Sequence, residues 1–182
     1  MPKAKYNPIR FAVVFVLLFV CFYYFNIFYL GITSPGNHYS LFLDENLNYI
    51  QWLRWGLLFI SKQILLGLGF TTITNDIDLL VAGRGHIALE YSCLGMGVMS
   101  FLAAFVIAYP KPAKEKVLFL TAGILVIQLL NIARFVILAL YWKPSEKHLL
   151  DHHTIFNTII YLIIMVSLYF WIMRDLKPNK TR

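Results

Sequence analysis

Four stretches of the chain are almost unbroken in apolar side chains: Phe11 to Leu30, Ile87 to Tyr109, Val117 to Leu140, and Thr154 to Met173. Each is close to the ~20 residues that an α-helix needs to cross the hydrocarbon of a bilayer, so the pattern predicts four transmembrane helices. A fifth stretch, Tyr49 to Phe70, is apolar but interrupted by Gln51, Arg54, Lys62 and Gln63. Polar groups at that density leave the stretch open between a crossing and a re-entrant or interfacial helix. Between the first and fifth stretches, Gly31 to Asn48 collects Ser34, Pro35, Gly36, Asn37, Asp44, Glu45 and Asn46, which reads as a loop outside the membrane. Further on, Ile77, Leu79 and Val81 alternate around Asp78, a turn follows at Ala82 to Gly85, and Ile87 and Leu89 alternate again. Period-two alternation about a glycine turn predicts a short β-hairpin. The expected fold is an all-α polytopic membrane protein with about four transmembrane helices, one re-entrant or interfacial helix and a short outer β-hairpin. Residues 1–182 are expected to form a single integral membrane domain.

Charge sets the expected orientation. Lys3, Lys5 and Arg10 precede the first stretch, Lys111, Lys114 and Lys116 separate the second from the third, and Arg174, Lys177, Lys180 and Arg182 follow the last. Basic flanks of short loops stay on the cytoplasmic side, and keeping all three clusters there requires that Tyr49 to Phe70 not cross. The formal charge of +7 is thereby absorbed by membrane orientation, and a nucleic-acid partner would need a soluble basic surface that the pattern lacks. Phe11 to Leu30 follows a basic stretch without a small-residue cleavage site after it, the pattern of a retained signal anchor. The expected partner of the surface is the lipid bilayer. Trp52 and Trp55, with Tyr49, fit an aromatic belt at its boundary.

Against this apolar background three chemically capable side chains stand out. Cys93 falls a few residues inside the outer end of the second stretch, Arg134 about two turns inside the outer end of the third, and His153 at the rim of the fourth. An arginine at that depth is costly unless it pairs or faces a wet cavity. A thiol attacks a carbonyl as its thiolate, which a helix N-terminus or a cation stabilises, and histidine can take the thiol proton and return it to a leaving amine. Arginine can hold the oxyanion of a tetrahedral intermediate or the carboxylates of a substrate. Both roles stay open for Arg134. Glu90, three residues before Cys93, could orient Arg134 or His153. Asp151 could orient a histidine, and Asn131, one turn before Arg134, could hydrogen-bond within the bundle. The second cysteine, Cys21, lies inside the first stretch, and the two cysteines lack the spacing of a zinc site or a dithiol pair, so no metal is implied.

The run Glu90-Tyr91-Ser92-Cys93-Leu94-Gly95-Met96, then Asn131-Ile132-Ala133-Arg134, then His153 with Asn157 four residues later, resembles the three motif blocks of the exosortase/archaeosortase family. These are membrane-embedded cysteine transpeptidases or proteases that recognise C-terminal sorting tails. The resemblance covers about Ile77 to Tyr161. It implies Cys93 as nucleophile, Arg134 as essential cation and His153 as acid/base, with no cofactor. Two positions depart from the family pattern: Leu94 stands between Cys93 and Gly95, and Asn157 stands where glycine is usual. With His152 adjacent, either ring could be the acid/base. The substrates implied are envelope or secreted proteins ending in a short motif, a transmembrane helix and a basic tail. They would be processed at the outer face of a bacterial inner membrane. The alternative expectation is a non-catalytic membrane assembly or transport subunit in which Arg134 binds an anion or a partner helix.

Overall fold

The computed structural model describes residues 7–36, 38–141 and 152–174, the side chains of residues 152–155 excepted. They fall into two compact units, Met1–Ser145 and Glu146–Arg182.

The first unit opens with helix α1, Pro8–Thr33. Asn7 caps it, its side chain accepting from the backbone of Ile9 and Arg10, and Pro8 occupies the first turn, where its missing N–H costs nothing. The stretch read as a plain outer loop contains a short helix, α2, Leu41–Leu47. Its signals were in the sequence: Ser40 precedes it and Asp44 lies in its first turn. Asp44 accepts from the Tyr39 hydroxyl and the Asn48 amide, both at 2.6 Å, and these bonds hold its carboxyl below the usual carboxylate range. Helix α3, Tyr49–Gly67, follows immediately. It buries Ile50, Leu57, Leu58, Ser61 and Leu65, leaves the apolar Trp52, Trp55 and Phe59 exposed, and holds Gln51, Arg54 and Lys62 half-buried between the two sides.

Three strands come next: β1 Thr72–Thr74, β2 Asp78–Val81 and β3 His86–Ala88, an antiparallel meander in that order. The expected hairpin is β2 and β3, with Leu79 opposite Ile87, and the positive φ of Gly83 makes its turn. Strand β1 is an addition, pairing Thr72 with Val81 and Thr74 with Leu79. Its three residues give too short a run for alternation to register. Leu79 and Val81 face inward and join the core, whereas Leu80 faces out.

The second apolar stretch does not begin as helix at Ile87. Its first residues complete the sheet, a 3-10 turn follows at Tyr91–Leu94, and helix α4 covers Met96–Ala108. Thirteen α-helical residues rise about 20 Å, and the 3-10 turn adds about 8 Å, together near the thickness of the hydrocarbon. Helix α5, Ala113–Tyr141, is the longest element. Helices α1 and α5, and Phe156–Met173 of α6, are long and apolar enough to cross a membrane, and α4 is a shorter apolar helix. The protein is a multi-pass membrane protein of the expected all-α class.

One core gathers Ile50, Leu57, Leu58 and Leu65 of α3, Leu79 and Val81 of β2, the cysteine turn, and Ile132, Phe135 and Ala139 of α5. It sits at the sheet end of the unit. Along the rest of α4, Phe101, Phe105 and Tyr109 interleave with Phe11, Phe15 and Phe19 of α1 in edge-to-face contacts with centroids 5.2 to 6.1 Å apart. On its other side α4 approaches α5 so closely that a Cβ on Gly123 would lie 2.6 Å from Leu102 Cδ2.

The second unit is helix α6, His152–Met173. Within it Ser167 returns its hydroxyl to the carbonyl of Ile163 at 2.7 Å, which satisfies that polar group without a neighbour.

Candidate functional site

The cysteine turn begins where β3 ends. Glu90 caps the 3-10 turn with extended backbone, and its carbonyl accepts the Cys93 N–H at 3.0 Å. Gly95 closes the turn at φ +74°, a left-handed conformation that glycine takes without strain. Gly95 is also the N-cap of α4, and its carbonyl accepts from Met99 at 2.9 Å. Cys93 therefore stands outside the helix N-terminus, two residues before the cap.

The cation is in reach. Arg134 Nη2 lies 3.6 Å from Cys93 Sγ, bridging 41 residues of sequence. Both side chains are enclosed, with 3% of Cys93 and 1% of Arg134 exposed. Leu89, Leu94, Met96, Ile132, Phe135 and Ala139 belong to the same core as the thiol. Coulomb attraction between a guanidinium and a thiolate is far stronger in such surroundings than in water, and burial raises the cost of leaving either charge alone. Ser92 adds a hydroxyl 3.7 Å from the sulfur.

Behind the turn, α5 presents further polar groups on the same side as Arg134. Asn131, 1% exposed, directs Nδ2 at the Leu94 carbonyl at 3.4 Å and at Gln128 Oε1 at 3.2 Å. Gln128 Nε2 reaches the Leu94 carbonyl at 3.4 Å and the Met99 sulfur at 3.1 Å. A Cβ on Gly95 would sit 2.9 Å from Asn131 Nδ2 and 3.2 Å from Ile127 Cγ2, so only glycine lets the turn come this near to α5.

A second polar group lies where α4 packs against α1. Asn26 of α1 donates to Ser100 Oγ at 3.1 Å and accepts from the Tyr49 hydroxyl at 2.6 Å, and Ser100 donates to the Met96 carbonyl at 2.8 Å. Burial pushes the Tyr49 phenol up to about 12, which keeps it a donor. These side chains, with Phe22, Phe25, Met96, Met99 and Ile124, line a mostly apolar cavity of about 290 Å³.

Of the expected site residues, Cys93, Arg134 and Asn131 come together in the first unit, and Glu90 is exposed at the head of the turn. His152 and His153 are the first residues of α6, and their side chains lie outside the described residues, as does Asp151 altogether. Asn157 lies in the second turn of α6. Two residues were not singled out from the sequence. Ser92 is legible only as the neighbour of a cysteine, whereas Gln128 had a usable signal: Gln128, Asn131 and Arg134 recur at intervals of three in an otherwise apolar helix.

The family model for the transmembrane exosortases (Exosortase_EpsH) matches residues 5–170. No curated protein and no solved structure matches the chain.

Proposed function

The chain belongs to the transmembrane exosortase family, a family of membrane cysteine transpeptidases concerned with protein sorting, and on that premise we propose that Cys93 is the nucleophile of a transpeptidase or endopeptidase acting on C-terminal sorting tails. The observation that carries this reading is the 3.6 Å approach of Arg134 to the Cys93 sulfur inside an apolar core. A lone packing cysteine has no need of a buried guanidinium, and a buried guanidinium beside a thiol favours the thiolate over the thiol.

In the proposed reaction His153, or His152 beside it, accepts the Cys93 proton. The thiolate adds to the scissile carbonyl, and Arg134 passes from balancing the sulfur to balancing the oxyanion. Collapse of the intermediate breaks the carbon–nitrogen bond, the histidine proton goes to the leaving amine, and a thioester remains on Cys93. An amine resolves it by transfer to an acceptor, or water resolves it by release. The substrate's own transmembrane helix enters from the bilayer and brings the scissile bond to the level of the turn. The charge clusters support a cytoplasmic position for the α4–α5 loop, which puts the sheet end and Cys93 at the outer face of a bacterial inner membrane. The same reading treats residues 1–182 as one working domain.

The test is processing of a reporter protein that ends in a family-type sorting tail. Cys93→Ala should abolish cleavage with the protein still inserted and abundant, and Cys93→Ser should be nearly as inactive, because a hydroxyl is much harder to deprotonate. His153→Ala should be inactive and His152→Ala should retain turnover; the reverse would move the proton role by one residue. Retained cleavage in Cys93→Ala would sink the reading.

A further inference from the structure

A glutamine in the middle of a membrane-spanning helix carries two donors and an acceptor that hydrocarbon cannot satisfy, so it persists where the protein supplies partners. Gln128 uses all of them on one task. Its two N–H groups go to the Leu94 carbonyl at 3.4 Å and the Met99 sulfur at 3.1 Å, and its oxygen accepts from Asn131 at 3.2 Å. Asn131 in turn reaches the same Leu94 carbonyl at 3.4 Å. The peptide carbonyl directly after Cys93 is therefore straddled by two amides of α5, and the first turn of α4 is tied to them through Met99.

Consider what fixes the sulfur. Cys93 belongs to a 3-10 turn of four residues that ends in a left-handed glycine, a segment with few constraints of its own. Its distance to Arg134 depends on how that turn is held against α5. Three residues on one side of α5, spaced 128, 131 and 134, meet the turn in sequence: two hold the Leu94 carbonyl and the third meets the sulfur. Each amide bond is long and individually weak, but together they fix the backbone from which the Cys93 side chain projects.

We propose that Gln128 is a positioning residue that, through the Leu94 carbonyl and with Asn131, holds the Cys93 turn in register with Arg134. It acts on the Cys93 sulfur only through the backbone, and its place extends the Asn-x-x-Arg block one step inward to Gln-x-x-Asn-x-x-Arg. The inference rests on the reading of Cys93 as nucleophile for its catalytic consequence, though not for its structural one.

Two measurements on Gln128→Leu in the full-length protein in lipid nanodiscs decide it. In hydrogen–deuterium exchange, peptides covering Tyr91 to Met96 should exchange faster than in the wild type, with protection along α5 unchanged. In tail cleavage, kcat should fall about tenfold, the scale expected of a misplaced nucleophile, with KM unchanged and the protein equally abundant. Met99→Leu, which removes only the sulfur contact, should stay within about twofold of wild type in kcat. Unchanged exchange in the turn, a wild-type kcat, a rise in KM alone, or an equal loss in Met99→Leu would each overturn the proposal. If the wild type shows no cleavage that depends on Cys93, the functional reading falls, and the exchange measurement still decides whether Gln128 holds the turn.

Discussion

Among the described residues, helix α4 packs chiefly against two helices, α1 and α5, and it is held to them by different means. Toward α1 it offers a ladder of rings: Phe15 alone meets Phe101 and Phe105 edge-on while stacking along its own helix on Phe11 and Phe19. Toward α5 the contact depends on what is missing and on what is polar. Gly95 and Gly123 allow close approach, and Gln128, Asn131 and Arg134 meet the turn that carries the thiol. Many interchangeable contacts share the load on the first side, each worth about 0.5–1.5 kcal/mol beyond its area. On the second, a few directional bonds from Gln128, Asn131 and Arg134 converge on one short turn. The α1 side should therefore tolerate substitution, and the α5 side should not.

The sharpest break is at Arg134. Replacing it with alanine should lower cleavage about a hundredfold or more, the scale of losing a donor to a developing charge. Arg134→Lys should fail almost as badly, because lysine lacks the planar fork and loses its proton more readily when buried. Substantial rescue by lysine, read from kcat on the reporter, would reduce Arg134 to a generic counter-charge.

Next in size is Gly95→Ala. The left-handed backbone costs an alanine about 1–2 kcal/mol, and its Cβ would meet Asn131 Nδ2 and Ile127 Cγ2. Cleavage should fall at least about tenfold as the turn is pushed from Arg134. Adding Asn131→Ala relieves the clash but also removes an amide from the Leu94 carbonyl. The double variant should regain part of its thermal stability without regaining cleavage, and a parallel recovery of both would mean that the clash alone mattered.

The smallest effect belongs to the other side. Phe15→Leu keeps an apolar side chain and leaves the Phe11–Phe105, Phe11–Tyr109 and Phe19–Phe101 pairs in place, so it should cost about 1 kcal/mol and leave cleavage within twofold. A loss comparable to that of Gly95→Ala would erase the contrast between the two sides of α4.

Where the chain could be read in advance, the signals were local. The Asn131–Arg134 pair stood out because polar groups in a spanning helix are expensive, and the same reasoning applied one step earlier along α5 would have found Gln128. Helix α2 was passed over because its seven residues mix apolar and acidic positions. Strand β1 was missed because three residues carry no period, and it exists through its pairing with β2. The helix expected to start at Ile87 starts at Met96, because Ile87 and Ala88 are bound into the sheet and Gly95 interrupts the backbone.

The sequence by itself determined the number of the apolar helices, the β2–β3 hairpin and the thiol and guanidinium that the candidate site contains. All of these follow from hydropathy, periodicity and the cost of polar groups in lipid, which are properties of short windows of chain. Only the tertiary structure decided that Cys93 sits in a turn before the N-terminus of α4, that Arg134 meets its sulfur at 3.6 Å, and that Gln128 and Asn131 hold the carbonyl next to it. Those facts depend on the approach of α5 to a turn some forty residues earlier, closed by a glycine whose absent side chain leaves room for an asparagine, and no local pattern encodes that distance.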